Sequence, residues 1–157
     1  METLVDRSGP QSVSELQFTT ARRAHPSPTD WRDQFIYFLL VDRFDNNADL
    51  TAHDPTQPHT GPDPEKRRLF QGGNLRGIMR RLDYIKNLGC TTIWLSPILK
   101  NRQDLNDTYH GYGIQDFLEV DPRFGTLDDL KQLTAEAHRR GMYVILDVVL
   151  GSRPDGT

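Results

Sequence analysis

A nucleic-acid footprint is missing from this 157-residue chain. Its 19 Lys and Arg residues stand against 22 Asp and Glu, for a net charge of −3, so the basic excess that draws phosphate backbones is absent. Cysteine is nearly absent too. Cys90 alone cannot form an internal disulfide, and a chain without disulfides suits a reducing compartment. No apolar run nears the roughly 18 residues needed to cross a bilayer. The longest, 35–41 and 142–150, are strand-sized, and Asp147 interrupts the second. The polar, charged start shows no apolar segment of the secretory kind, so a cytoplasmic location and no membrane partner are expected. G-x-G-x-x-G, the P-loop, H-E-x-x-H, C-x-x-C and G-x-S-x-G are all missing, which removes the main support for nucleotide, zinc-hydrolase and serine-hydrolase chemistry. Length sets a further bound: 157 residues suit one domain but fall short of the roughly 250 of a closed α/β barrel.

The residues that are present alternate between two periods. Residues 1–30 carry scattered Ser, Thr, Pro and Arg and read as a flexible leader. Residues 35–41, Phe-Ile-Tyr-Phe-Leu-Leu-Val, show no polar alternation, the pattern of a strand covered on both faces. A loop rich in Asp, Asn, Pro and Gly follows over 45–73. Leu75, Ile78, Met79, Leu82, Ile85 and Leu88 then recur on one face of a helix predicted over 74–88, with Asn74 as cap and Gly89 as stop. A second strand is predicted over 91–95, halted by Ser96-Pro97, and a second long loop over 96–125. A helix over 127–140 has Thr126 as cap, Asp129 at the capping-box position and a buried stripe of Leu127, Leu130, Leu133 and Ala137. A third strand spans 142–149, and 151–157 reads as polar coil. Strand and helix alternating in this way predict a parallel sheet with crossover helices. Both long loops then leave the C-terminal ends of strands, the edge where such folds bind ligands.

Four groups on that edge carry chemistry. Tyr109, His110 and Tyr112, flanked by Gly111 and Gly113, offer rings and an imidazole of the kind that meet sugar faces and hydroxyls; a loop packed by its own tyrosines is the alternative. Asp147 breaks an apolar strand, and a buried carboxylate without a partner is costly, so it requires one, in an ion pair or in a site. Asp42-Arg43 has the same ambiguity and leans structural. Residues 45–49, Asp-Asn-Asn-Ala-Asp, are rich in the oxygens that hard cations take, without EF-hand spacing; a polar turn is the alternative.

Taken together, these pieces resemble the α-amylase family, glycoside hydrolase family 13. The match rests on Ile36-Tyr37 through Val41-Asp42-Arg43-Phe44, Gly72-Gly73-Asn74-Leu75, Thr92-Ile93-Trp94-Leu95-Ser96-Pro97, Tyr109-His110-Gly111-Tyr112 with Asp116, Asp121-Pro122-Arg123-Phe124-Gly125, and Val144-Ile145-Leu146-Asp147-Val148-Val149. The resemblance implies an α/β fold: the first three strands and two helices of a TIM-type (β/α)8 barrel, incomplete, over 31–150. It implies retaining chemistry on α-glucosidic bonds, with an α-glucan or oligosaccharide as partner. Tyr112 is then the platform that stacks on the sugar, Tyr109 and His110 line the same cleft, and Asp147 is the strand-three carboxylate. Asn46, Asn47, Asp49, Gly72 and Asn74 fall where some members hold Ca²⁺.

Two departures qualify this. The family's strand-three motif continues into Asn-His, whereas here Leu150 is followed by Gly151-Ser152. The nucleophile and acid/base, which follow later strands in the family, have no counterpart in the 157 residues. The expectation is a truncated or frame-shifted product without turnover, marginally stable and prone to self-association through open sheet edges. The alternative is a non-catalytic carbohydrate- or partner-binding module.

Overall fold

The computed structural model describes residues 24–47, 69–104 and 107–150. The expected 151–157 tail, most of the expected leader and Asp49 lie outside the described residues. Ile36–Leu39 forms β1, Val41–Phe44 a single helical turn α1, Leu75–Arg80 α2, Leu82–Asn87 α3 and Thr92–Leu95 β2. Leu99–Asn101 (β3), Ile114–Val120 (β4), Leu127–Arg139 (α4) and Tyr143–Leu146 (β5) follow. The sheet has the order β1-β2-β5. Ile36 pairs with Thr92 and Leu39 with Leu95, in parallel, and Thr92 pairs with Tyr143 and Leu95 with Leu146, again in parallel. Three parallel strands joined by two helical crossovers therefore lie side by side, as the alternation of periods predicts.

The apolar stripe of α2 and α3 explains the packing. Leu75, Ile78, Leu82 and Ile85 are fully buried and join Leu39, Ile93, Leu95, Leu133, Ala137 and Met142 in one core between helices and sheet. Burying each such side chain stabilises the fold by about 1.5–3 kcal/mol. Cys90 is buried at the edge of this core, and burial pushes its thiol above the ordinary value, as suits an inert packing residue.

Several sequence expectations change in detail. The helix over 74–88 divides at Arg81, whose N–H turns to the Ile78 carbonyl in a tight step while its guanidinium is drawn to Asp45 at 2.7 Å. The loop over 96–125 contains an antiparallel hairpin, β3 with β4, in irregular register. It is nearly invisible in the sequence because most β4 side chains are solvated. Leu127 belongs outside the α4 stripe and is 54% exposed, since it opens the helix beyond the reach of the sheet. The double cover expected for 35–41 is also incorrect. Phe38 and Trp94 meet edge to face at 5.3 Å on the sheet face away from the helices, and Phe38 is 51% exposed.

Residues 24–33 touch the folded unit. His25 stacks on His138 of α4 with ring centroids 3.9 Å apart, and Trp31, in a 3₁₀ turn capped by Asp30, lies 5.8 Å from Tyr143.

Gly77 is a sharp test of the packing. Alanine ordinarily stabilises a helix interior by about 1 kcal/mol over glycine, but a Cβ here would lie 1.9 Å from the Asp45 carbonyl oxygen. Gly77→Ala is expected to destabilise the chain by about 1–3 kcal/mol, read as a lower midpoint in thermal unfolding followed by circular dichroism.

Candidate functional site

The C-terminal ends of β1, β2 and β5 form one rim. It is pinned by short bonds: the Ser96 hydroxyl accepts from Val41 N–H at 3.0 Å, Ser96 N–H donates to the Leu39 carbonyl, and Asp147 N–H donates to the Leu95 carbonyl. Tyr109, His110, Tyr112 and Asp147 come together on this rim. The Tyr112 hydroxyl donates to Asp147 Oδ2 at 2.7 Å, so the partner the Asp147 carboxylate requires is a phenol. That bond, followed by burial and the nearby negative charge, pushes the Tyr112 phenol above its ordinary value.

The loop bends so tightly because Gly111 holds φ at 85°, and a Cβ at Gly111 would strike the Pro97 carbonyl oxygen at 1.9 Å. Only glycine passes there. The turn brings His110 Nδ1 to accept the Tyr112 backbone N–H at 3.0 Å, which places the ring proton on Nε2 in the neutral imidazole. Burial holds the His110 pKa below 6.5, with the charge of Asp107 pulling the other way. Tyr109 meets His110 edge-on at 5.3 Å, and the Arg43 guanidinium lies 4.0 Å above the Tyr109 ring.

Two carboxylates serve as anchors. Asp42 is buried and accepts from Gln71 N–H at 2.9 Å and Gly72 N–H at 3.0 Å, with Arg43 Nε at 3.1 Å. Asp121, fully buried, accepts from Asn101 N–H at 3.0 Å and from Arg123, tying the hairpin to the 121–125 turn. The sequence pattern gave Asp121 and Arg123 no separate role; an Asp two residues before an Arg, at the end of an extended segment, was the available signal.

Of the residues expected to hold calcium, Asn46, Gly72 and Asn74 meet at the entry to α2. Asn74 Oδ1 accepts the Gly77 N–H as the cap of α2 at 2.9 Å. Asn74 Nδ2 donates to the Asn46 and Gly72 carbonyls at 3.0 and 3.1 Å. Asp45 accepts from Arg80, Arg81 and the Asn47 N–H; burial opposes its charge, but these bonds reverse that and hold the carboxyl below its usual range. A Ca²⁺ ion takes six to eight oxygens; of the described set, Asn74 Oδ1 and the Asn46 and Gly72 carbonyls each accept a hydrogen bond from within the chain. No group of three His, Cys, Asp or Glu among the described residues is placed to hold a metal ion.

The match to known proteins follows this geometry. The family model described as the alpha-amylase catalytic domain matches residues 35–152. The chain belongs to the α-amylase family. Amylase-type relatives include an alpha-amylase of Streptomyces lividans, 47% identical over 106 residues, 64% of this chain and 12% of that protein. Alpha-amylase 2 of Dictyoglomus thermophilum is 43% identical over 120 residues, 76% of this chain and 19% of that protein. Among solved structures, the alpha-amylase of Geobacillus thermoleovorans complexed with acarbose aligns with a TM-score of 0.59 at 50% identity, over 74% of this chain and 23% of that one. An Anoxybacillus alpha-amylase gives 0.63 at 45%, over 77% and 25%. This amylase-type chain therefore spans a quarter or less of the length of these relatives, and its three-stranded α/β sheet corresponds to part of a TIM-type barrel.

Two outcomes follow for the rim. Because folding depresses the His110 pKa, the bond from Tyr112 N–H is fully present above pH 6.5 and is lost as pH falls through the lower folded value. Hydrogen-exchange protection of the Tyr112 amide should therefore drop as pH falls below 6.5 through the lower folded value, beyond the intrinsic change in exchange rate. Asp147→Asn should return the Tyr112 phenol toward about 10, as read by ultraviolet titration against the same variant with Tyr112→Phe.

Proposed function

We propose that this chain carries one wall of an α-glucan cleft of the α-amylase type and, as 157 residues, holds sugar without hydrolysing it. The bond between Tyr112 and Asp147 carries the reading. It fixes an aromatic ring beside a carboxylate on the ligand-binding edge of the sheet, with the neutral imidazole of His110 next to it, its ring proton on Nε2. A pyranose presents an apolar face to such a ring and hydroxyls to the polar groups. A 50%-identical relative solved with acarbose supports a sugar as the ligand class.

Retaining hydrolysis uses two carboxyl groups about 5–5.5 Å apart, one as nucleophile and one as acid/base. Among the described residues Asp147 is bonded into the rim by Tyr112, and the Asp42 carboxylate is committed to the 71–72 backbone and Arg43. Neither is placed as a member of such a pair. Among the described residues β1 and β5 carry no strand on their outer edges, which supports self-association, since unpaired strand edges recruit other strands.

Incubation of the purified chain with maltooligosaccharides should release no reducing sugar above buffer, while Tyr112→Ala should weaken maltoheptaose binding about tenfold or more, the loss expected when a stacking ring is removed. Retaining hydrolysis, or binding indifferent to Tyr112, would overturn the reading. Sedimentation velocity should show mass rising with concentration.

A further inference from the structure

Arg43 stands between two loops that the sequence keeps far apart. Its Nε lies 3.1 Å from Asp42 Oδ2 and its Nη2 donates to the Leu69 carbonyl at 3.1 Å. A guanidinium held by its edge leaves its flat faces for an aromatic ring, and one of them covers Tyr109 at 4.0 Å. Asp42 is itself immobilised by the Gln71 and Gly72 amides, so Arg43 extends from a rigid base.

From Tyr109 the contacts continue along the rim. Tyr109 abuts His110 at 5.3 Å, His110 Nδ1 holds the Tyr112 amide at 3.0 Å, and the Tyr112 hydroxyl reaches Asp147 at 2.7 Å. The series joins the segment after β1, the connection between β3 and β4, and the residue after β5. We propose that Arg43 is the positioning residue of the sugar-facing rim: its guanidinium, fixed by Asp42 and the Leu69 carbonyl, backs Tyr109 and thereby sets His110 and the Tyr112 platform. This rests on the reading of that rim as a sugar site. It also assigns Tyr109 a different part from Tyr112, because one face of the Tyr109 ring is covered by Arg43.

The test separates the positioning role from the sugar reading. In ¹⁵N-labelled protein at pH 7.5, Arg43→Met should keep the cooperative melt but lower protection of the Tyr112 amide about tenfold, the scale of one desolvated cation–π contact. Arg43→Lys, which restores the charge without the planar fork, should recover part of that loss. Tyr109→Leu should loosen the same amide, and the double variant should add little to either single change. Tyr112 protection within twofold of wild type in Arg43→Met, or effects that simply multiply, would overturn the proposal. If Arg43→Met does not fold, Tyr109→Leu, which leaves the Asp42–Arg43–Leu69 anchor in place, decides alone by whether the Tyr112 amide is released. In a parallel titration with maltoheptaose, Arg43→Met should weaken binding about tenfold. A wild-type chain that binds no maltoheptaose removes the sugar reading, while the amide measurements still decide the positioning role.

Discussion

Asp42 is a carboxylate in an almost dry place, and the remaining architecture leans on it. Burying an ionised carboxylate is expensive unless its oxygens are met by donors. Here two backbone amides and a guanidinium meet them. The amides belong to the segment that returns the chain to α2, where Asn74 caps the helix and Gly77 lets it press against the Asp45 carbonyl. The helix stripe then packs the sheet, and the sheet sets the rim. Removing the Asp42 charge would free a chain segment, a helix entry and an arginine at once.

The fold was largely legible because its parts follow simple periods. The helical stripe from Leu75 to Ile85, the capping box at Thr126 and Asp129, and the three apolar runs each appear where their spacing places them. The failures have physical causes. The β3–β4 hairpin buries little, so its strands lack the apolar signature that marks the others. The open face of β1 and β2 escaped notice because continuous apolar runs read as doubly buried whether or not a second layer covers them. Leu127 matched the stripe by spacing alone, and spacing does not reveal where the sheet ends.

At the rim the sequence supplied the residue types but not their wiring. That Asp147 needed a partner followed from the cost of an isolated carboxylate; that the partner would be a phenol 35 positions earlier did not. The oxygen-rich stretch at 45–49 was ambiguous for a different reason. Asn and Asp serve a cation, a helix cap or an arginine equally well, and only the positions of Arg80, Arg81 and the Gly77 amide show that Asp45 meets arginines and Asn74 caps a helix. Arg43 looked structural in the sequence because its aromatic partner lies beyond two helices and two strands.

The edge-to-face pair of Phe38 and Trp94 has a consequence for how the molecule is watched. The chain has two tryptophans. Trp31 rests beside Tyr143, whereas Trp94 lies on the bare side of the sheet and is 38% exposed. An indole in that place changes colour with its surroundings: wet, it emits to the red; covered, to the blue. The bare side therefore has its own built-in lamp, and whatever comes to lie on it announces itself in the fluorescence spectrum.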